Sequence, residues 1–239
     1  MESQAEALRT AGGQACGTPE AKRRGRCRRD ACAPSLRYMR VGMLAQPKKP
    51  YVLGLLGSPR KNSNTGMLLE KLLAGAAEAG ARTEIVVLRD LMYESCRHCG
   101  GCDRTGCCVV QDDMQLIFPK LRAANHLVLA SPIQFSGVSG ETKMMIDRAQ
   151  CFWVGKYRLK QSVSEVEGER KGVFVATCGG ADLRVFEWAK PTVKAFFNST
   201  GFKYWEELLE ANMDEPPPMA ERVEALAKAR ELGRRMVTS

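Results

Sequence analysis

From residue 51 onward, short apolar runs alternate with longer stretches of helical periodicity. The first run, Tyr51–Leu56, is bounded by Gly57, which is typical of a buried strand. Residues 66–79 then place leucine and alanine on one helical face, and Gly80 ends the pattern. The same alternation continues to the end of the chain. It predicts strands at 83–88, 126–130, 173–177 and 204–209 and helices at 112–124, 141–153, 182–200 and 220–236.

Strands separated by helices of this length form right-handed β-α-β units, with parallel strands covered by helices on both faces. The predicted fold class is therefore α/β, a doubly wound five-stranded parallel sheet. We assign this domain to residues 49–239, with a cysteine-rich loop at 93–111 after the second strand. Residues 1–48 are predicted to be a disordered basic extension, because residues 1–38 are polar and lack apolar periodicity.

The positive charge of the chain is concentrated at its start. Residues 1–50 hold 11 Lys/Arg against 4 Asp/Glu, a net charge of +7, whereas the other 189 residues hold 25 against 23, a net charge of +2. A nearly neutral body is weak support for a nucleic-acid partner, although a basic arm or a targeting segment is an alternative for residues 1–38, which include the basic run 22–29. No apolar run is long enough for a transmembrane helix, and the N-terminus lacks the core of a signal peptide. We expect a soluble cytoplasmic protein with no membrane partner.

The loop after the first strand has the chemistry of a phosphate site. Residues 57–65, Gly-Ser-Pro-Arg-Lys-Asn-Ser-Asn-Thr, offer backbone N–H groups at a helix N-terminus, hydroxyl donors and a guanidinium. The spacing fits neither a nucleotide triphosphatase nor a dinucleotide fold, so it indicates a cradle for one terminal phosphate. An ordinary polar strand-to-helix turn is the alternative. The predicted contacts are Ser58, Arg60, Asn62, Ser63, Asn64 and Thr65.

Two further loops follow strands at the same edge of the predicted sheet. They are residues 131–137, Ser-Pro-Ile-Gln-Phe-Ser-Gly, and residues 177–182, Thr-Cys-Gly-Gly-Ala-Asp. In an open parallel sheet, ligands bind beyond the carboxyl ends of the strands, near the point where strand order reverses. We therefore expect the three loops to form the walls of one pocket.

Five of the ten cysteines fall within thirteen residues: Cys96, Cys99, Cys102, Cys107 and Cys108. Because the cytosol keeps thiols reduced, such clustering indicates a metal rather than disulfides. Two steps of three residues bring three thiolates towards one centre, and the fourth ligand is either Cys107 or Cys108. Four thiolates suit a [4Fe–4S] cluster or tetrahedral Zn²⁺. Structural zinc and reduced cysteines without metal remain the alternatives to iron.

Taken together, these motifs resemble the flavodoxin-like NAD(P)H-dependent FMN reductases. The resemblance covers about residues 50–236 and rests on the phosphate loop, on the 131–137 loop, on Lys143-x-x-Ile146-Asp147-Arg148 and on Gly179-Gly180. The cysteine loop, which ends in the segment 108–114, is similar to the iron-sulfur flavoprotein branch of that group.

The resemblance implies FMN, with its phosphate in the first loop and its ring edged by backbone from the other two. One departure is Gln134, where the family often has tyrosine beside the flavin. No catalytic residue is expected, because hydride transfer to a flavin needs no protein acid or base. The further cofactor contacts that the resemblance implies are Ser131, Pro132, Ile133, Gln134, Phe135, Gly137, Cys178, Gly179 and Gly180.

The resemblance also selects the metal ligands Cys96, Cys99, Cys102 and Cys108, because the iron-sulfur flavoproteins have five residues before the fourth ligand. We favour iron over zinc because a redox centre beside a flavin has a use. The predicted function is an FMN-dependent oxidoreductase that takes a hydride from NAD(P)H and passes electrons through a [4Fe–4S] cluster to a small redox protein. The alternatives are a non-enzymatic electron carrier and a redox sensor bound to nucleic acid. The resemblance suggests a homodimer or a homotetramer.

Overall fold

A computed structural model describes residues 49–239; the extension predicted for residues 1–48 lies outside the described residues. Short 3₁₀ turns occur at Leu88–Asp90 and Met219–Glu221, and a π-helical turn occurs at Val154–Arg158. The regular elements in chain order are β1 Tyr51–Leu56, α1 Asn64–Glu78, β2 Arg82–Val87, α2 Met114–Ala123, β3 His126–Gln134, β4 Gly137–Val138, α3 Gly140–Arg148, α4 Gln150–Trp153, β5 Lys171–Thr177, α5 Arg184–Thr200, β6 Lys203–Glu210 and α6 Val223–Thr238.

Five strands form a parallel sheet in the order β2-β1-β3-β5-β6. This is the flavodoxin-like order, in which the direction of winding reverses between β1 and β3. The predicted parallel sheet is thus confirmed. The sheet also has a sixth strand, β4, which pairs antiparallel with the end of β3. Strand β4 was not predicted, because a two-residue strand is too short for an alternating pattern.

Each face of the sheet carries its own hydrophobic core. Successive side chains of β1 alternate between the two, with Leu53 and Leu55 in one and Val52 and Leu56 in the other. Helices α1 and α6 cover the second core, while α2, α3 and α5 cover the first. The near-continuous burial of β1, β3 and β5 therefore follows from helices on both sides.

The helix predicted over 141–153 is interrupted. Helix α3 ends at Arg148, Ala149 forms a turn, and α4 runs into the π-helical turn. Neither proline nor glycine marks this break. It coincides with burial of the Arg148 side chain against the loop before α2, a tertiary contact that helical periodicity does not encode. Across residues 49–239, none of the helices combines the length and apolar character needed to cross a bilayer.

Candidate functional site

A cleft of about 300 Å³ opens at the carboxyl edge of the sheet. Its walls come from the loops after β1, β3, β5 and β6, on both sides of the point where winding reverses. Its volume is in the range of small-molecule sites. Ten residues predicted from the sequence to bind a cofactor line it: Ser58, Arg60, Ser63, Asn64, Thr65, Pro132, Ile133, Gln134, Cys178 and Gly179.

The other five predicted contacts are not part of this lining. Asn62 and Gly180 are exposed, and Gly137 pairs with Gln134 across the β3–β4 hairpin. Phe135 is fully exposed at the tip of that hairpin. Ser131 is completely buried, and its Oγ accepts a hydrogen bond from Ser139 N–H at 2.9 Å. The cofactor contacts of these five residues stay predictions.

The phosphate loop leads directly into the N-terminus of α1. Ser63 is the N-cap, and its Oγ accepts a hydrogen bond from Gly66 N–H at 3.0 Å. The first turn of α1 holds no acidic residue, so the positive end of this 15-residue helix is suited to an anion. The buried Ser58 hydroxyl accepts from Arg60 N–H at 3.3 Å, and Ser58 is part of the cleft lining.

Hydroxyl groups connect the loop to the rest of the sheet edge. Thr65 Oγ1 and Thr177 Oγ1 are 2.6 Å apart, which joins the start of α1 to the end of β5. The Ser139 hydroxyl donates to Gly57 O at 2.5 Å, and Ser139 is also the N-cap of α3. Because these partners are buried, the loop is held by the end of β5 and by the start of α3.

Four residues of the lining were absent from the predicted contacts: Pro59, Thr177, Met213 and Asp214. Asp214 N–H donates to Gly179 O at 3.1 Å, which brings the loop after β6 onto the loop after β5. A Cβ on Gly179 would lie 2.2 Å from Asp214 Oδ2, so any larger residue there would displace the Asp214 carboxylate. Met213 and Asp214 could have been predicted from their position in the chain alone, because the loop after β6 leaves the same edge of the sheet as the other three loops.

A second, smaller cavity of about 40 Å³ lies inside the cysteine-rich loop. The thiols of Cys96, Cys99, Cys102 and Cys108 all border it, whereas Cys107 is not among the described residues that line it. Cys96 Sγ accepts a hydrogen bond from His98 N–H at 3.4 Å. This set is the predicted ligand set.

The loop is anchored by an ion pair between Arg148 and Asp112. Arg148 Nη2 donates to Asp112 Oδ1 at 3.0 Å, and a second bond joins Nη1 to Oδ2. Burial would raise the pKa of Asp112, but hydrogen bonds from Arg148 and the backbone outweigh it and hold the pKa below its ordinary value. Burial also raises the pKa of the Cys102 thiol and that of Cys151, the latter to about 12. Without a bound cation, these thiols are therefore protonated at neutral pH.

The four cysteines are candidate ligands either for zinc or for an iron-sulfur cluster. Among residues 49–239, no three His, Cys, Asp or Glu side chains are arranged to hold a metal ion. Tetrahedral zinc needs each sulfur about 2.3 Å from one point. A four-iron cluster takes one thiolate at each corner iron, so its ligands surround a larger body. Four thiols around one cavity are compatible with that arrangement.

Comparisons with known proteins agree with this geometry. A family model described as NADPH-dependent FMN reductase matches residues 50–199. An iron-sulfur flavoprotein of Methanocaldococcus jannaschii is 37% identical over 112 residues, which cover 47% of this chain and 58% of that protein. An iron-sulfur flavoprotein of Methanosarcina thermophila is 32% identical over 124 residues, 51% of this chain and 65% of that one. The chain thus spans less than two thirds of the length of these relatives.

Solved structures show the same fold at low identity. An NAD(P)H:quinone oxidoreductase from Methanothermobacter marburgensis superimposes with a TM-score of 0.59 at 19% identity, over 79% of this chain and 97% of that one. An FMN-dependent NADH-azoreductase from Bacillus anthracis, in complex with FMN, gives a TM-score of 0.61 at 16% identity, over 79% and 100%.

Proposed function

The chain belongs to the NADPH-dependent FMN reductase family, and from that premise we propose that it is an FMN-dependent oxidoreductase supplied with a hydride by NAD(P)H. The observation that carries the proposal is the cleft at the carboxyl edge, where the helix N-terminus, the Ser58 hydroxyl and Arg60 converge. When bound, FMN accepts a hydride at its N5 and can release the two electrons one at a time.

The fit to FMN can be argued from this chain's own groups. The phosphate would be held by N–H groups of the loop and by Arg60, in a site whose nearest helix turn carries no carboxylate. Pro132, Ile133 and Gln134 line the cleft and would contact the flat ring. Gly179 also lines the cleft, and because it has no side chain it would leave room for the ring. These residues bind and orient the cofactor, and none of them needs to move a proton.

A paired substitution in the phosphate loop tests this site. Arg60→Ala should lower FMN affinity at least tenfold, because a hydrogen bond to a charged group contributes about 1.5–3 kcal/mol. The matched control is Lys61→Ala, which removes the neighbouring exposed cation, a residue outside the cleft lining. Flavin fluorescence titration measures both. Equal FMN affinity in the two variants would show that this loop does not bind the phosphate.

We further propose that Cys96, Cys99, Cys102 and Cys108 bind a [4Fe–4S] cluster, with structural zinc as the competing occupant. The shared cavity, the N–H donor to Cys96 and the names of the curated relatives support this proposal. A bound cluster would carry one electron at a time. The chain would then connect a two-electron donor to one-electron acceptors.

The placement of α3 supports an electron path between the two sites. Its N-cap, Ser139, donates to Gly57 O at the start of the phosphate loop. Its last residue, Arg148, borders the cysteine cavity. A nine-residue helix is about 13 Å long, so the cleft and the cavity lie at opposite ends of one short rigid element.

The fourth ligand can be tested directly. Cys108→Ala should abolish the broad visible absorption of an iron-sulfur cluster in anaerobically purified protein, with FMN retained. Cys107→Ala is the matched control and should keep the absorption and the iron, because its neighbour borders the cavity. Iron, sulfide and zinc are quantified in each protein. Zinc in place of iron would show that the loop has a structural role and not a redox role. Loss of the cluster only in Cys107→Ala would show that Cys107, and not Cys108, is the fourth ligand.

The electron donor and acceptor also belong to the proposal. Steady oxidation of NADH or NADPH by the purified protein would establish the enzyme and identify the preferred nicotinamide. Reduction only through a ferredoxin or a dehydrogenase would instead favour the electron carrier. The small redox protein as acceptor and the homodimer or homotetramer stay predictions, tested by the same kinetic assay and by light scattering.

A further inference from the structure

Arg148 is the most thoroughly buried charged side chain beside the cysteine cavity, with 2% of its surface exposed. A guanidinium has five N–H donors in a fixed plane. Four of them are used: Nη1 donates to Glu94 O at 3.0 Å and to Asp112, and Nη2 donates to Asp112 Oδ1 and to Cys108 Sγ, the latter at 3.4 Å. The side chain therefore joins the end of α3 directly to the predicted fourth ligand.

The fifth donor, on Nε, has no partner among residues 49–239. Arg148 Nε is buried and, within the described residues, forms no hydrogen bond. A buried N–H without an acceptor is destabilising, so such groups are rare in folded proteins and an acceptor bound there would be favoured. Arg148 borders the cavity that the four thiols surround, whereas Asp112 is not among the residues that line it. The cavity thus meets the cationic side of this ion pair.

We infer that Arg148 is a positioning residue for the group held by the cysteine loop, and that it raises the reduction potential of that group. Its Nη2 fixes Cys108 Sγ, and its Nε–H is the donor left for the group itself. The inference rests on the proposed function, because it requires an iron-sulfur cluster in the cavity. Reduction adds one electron, supplied by the flavin, to a group that four thiolates already make anionic. A fixed donor on a residue that borders the cavity would stabilise that added charge.

Lysine could not replace arginine here without loss. The ammonium group is a point charge with three donors and could not contact Glu94 O, Asp112 and Cys108 in one plane. Arg148→Lys should therefore keep the charge but shift the potential part of the way. The potential of Arg148→Lys therefore separates the effect of the planar guanidinium geometry from the effect of the positive charge.

The experiment measures the reduction potential of the cluster in anaerobic protein by redox titration with electron paramagnetic resonance detection. The main variant is Arg148→Met with Asp112→Asn, which removes the pair together and leaves no unpaired buried carboxylate. The matched control is Lys143→Met, which removes an exposed cation of the same helix, paired with Asp147 at 2.7 Å. Iron and FMN are quantified in every protein.

We expect the double variant to be at least tenfold harder to reduce, a shift of about 59 mV to more negative potential for one electron. Arg148→Lys should shift less, and Lys143→Met should match the wild type. If the double variant keeps all its iron and its reduction potential is unchanged, this inference is wrong while the proposed cluster stands. If that variant loses iron, an Arg148→Lys potential equal to the wild-type value overturns it. A wild-type protein with FMN but no iron overturns the proposed cluster and this inference together.

Discussion

Phe135 occupies a backbone conformation that few side chains adopt. It and Ser136 form the two-residue turn between β3 and β4, with φ of 46° and 62°. Both angles are left-handed, as in the type I′ hairpin turn that favours Asn-Gly. Such a conformation costs a residue other than glycine roughly 1–2 kcal/mol. Because the Phe135 side chain is fully exposed, no buried contact in the described residues offsets that cost.

Phe135→Asn should therefore stabilise the fold by about 0.5–1 kcal/mol, since asparagine tolerates a left-handed backbone and no apolar burial is lost. Urea unfolding measures the effect. Met92→Asn, at another exposed apolar residue without a positive φ, is the control and should change stability little. A destabilised Phe135→Asn protein would mean that the ring contacts something that this chain alone does not provide. A fall in FMN affinity in that variant would support the predicted cofactor contact.

Sequence reasoning found the site at the level of loops better than at the level of single atoms. Ser63 and Ser131 were predicted as cofactor contacts, which stay predictions; what the sequence did not indicate is that the Ser63 hydroxyl caps α1 and that Ser131 Oγ accepts from Ser139 N–H. A hydroxyl in a loop has several possible partners, and only the folded backbone selects among them. Asp214 was missed for the converse reason, and Arg148 was noted only as part of the motif Lys143-x-x-Ile146-Asp147-Arg148, without its contact to the cysteine loop. Both are distant in sequence from the loops they contact, and no local pattern indicates those contacts.

At the scale of elements, α1 and α6 cross with their backbones in contact. A Cβ on Gly75 would lie 1.8 Å from Arg230 O, and a Cβ on Gly233 would lie 1.8 Å from Leu72 O. Helical periodicity predicted both helices but not their crossing, because closeness of approach depends on which small residues face each other. The cysteine loop was likewise located by its spacing, while its attachment to the end of α3 required the structure.

Gly75→Ala should destabilise the protein by about 1–3 kcal/mol, although alanine favours helix formation by up to about 1 kcal/mol. The clash is with a backbone carbonyl, which cannot rotate away as a side chain can. Gly140→Ala is the matched control, because a Cβ there meets nothing within 4 Å. Thermal and urea unfolding compare the two. Equal stability of the variants would show that the helices can separate at little cost.

At the scale of the whole molecule, the carboxyl ends and the amino ends of the strands carry different kinds of residue. The cleft lies at the carboxyl edge, whereas the amino edge carries buried cations that bind backbone carbonyls. Arg170 donates to Ala124 O and Thr200 O, both at 2.9 Å, and Lys171 donates to Met236 O at 3.2 Å. The carboxyl-terminal ends of α2, α5 and α6 are thereby tied to the start of β5. Changes at this edge should alter stability without altering cofactor binding.

The pH dependence of stability at His126 tests whether changes at the amino edge alter stability without altering cofactor binding. It is the first residue of β3, and its Nδ1 accepts a hydrogen bond from Lys171 N–H at 3.2 Å. Burial, and then the charges of Lys171 and Arg170, lower its pKa to about 4 from the ordinary value of 6.5. Between these two pH values the unfolded chain binds a proton that the folded chain does not. Stability must therefore fall as the pH falls through that window, by up to about 3 kcal/mol.

Replacing this histidine should remove that part of the pH dependence. His126→Asn keeps an acceptor near Lys171 N–H but does not titrate. Between pH 7.5 and pH 4, the wild-type free energy of unfolding should fall by up to about 3 kcal/mol more than that of the variant, since all carboxylates are common to both. His98→Asn, at the other of the two histidines, is exposed and should behave as the wild type does. Urea unfolding across this range measures the difference, with FMN affinity at pH 7.5 expected to be the same in all three proteins. Parallel stability curves for wild type and His126→Asn would show that the buried imidazole is protonated with the fold intact.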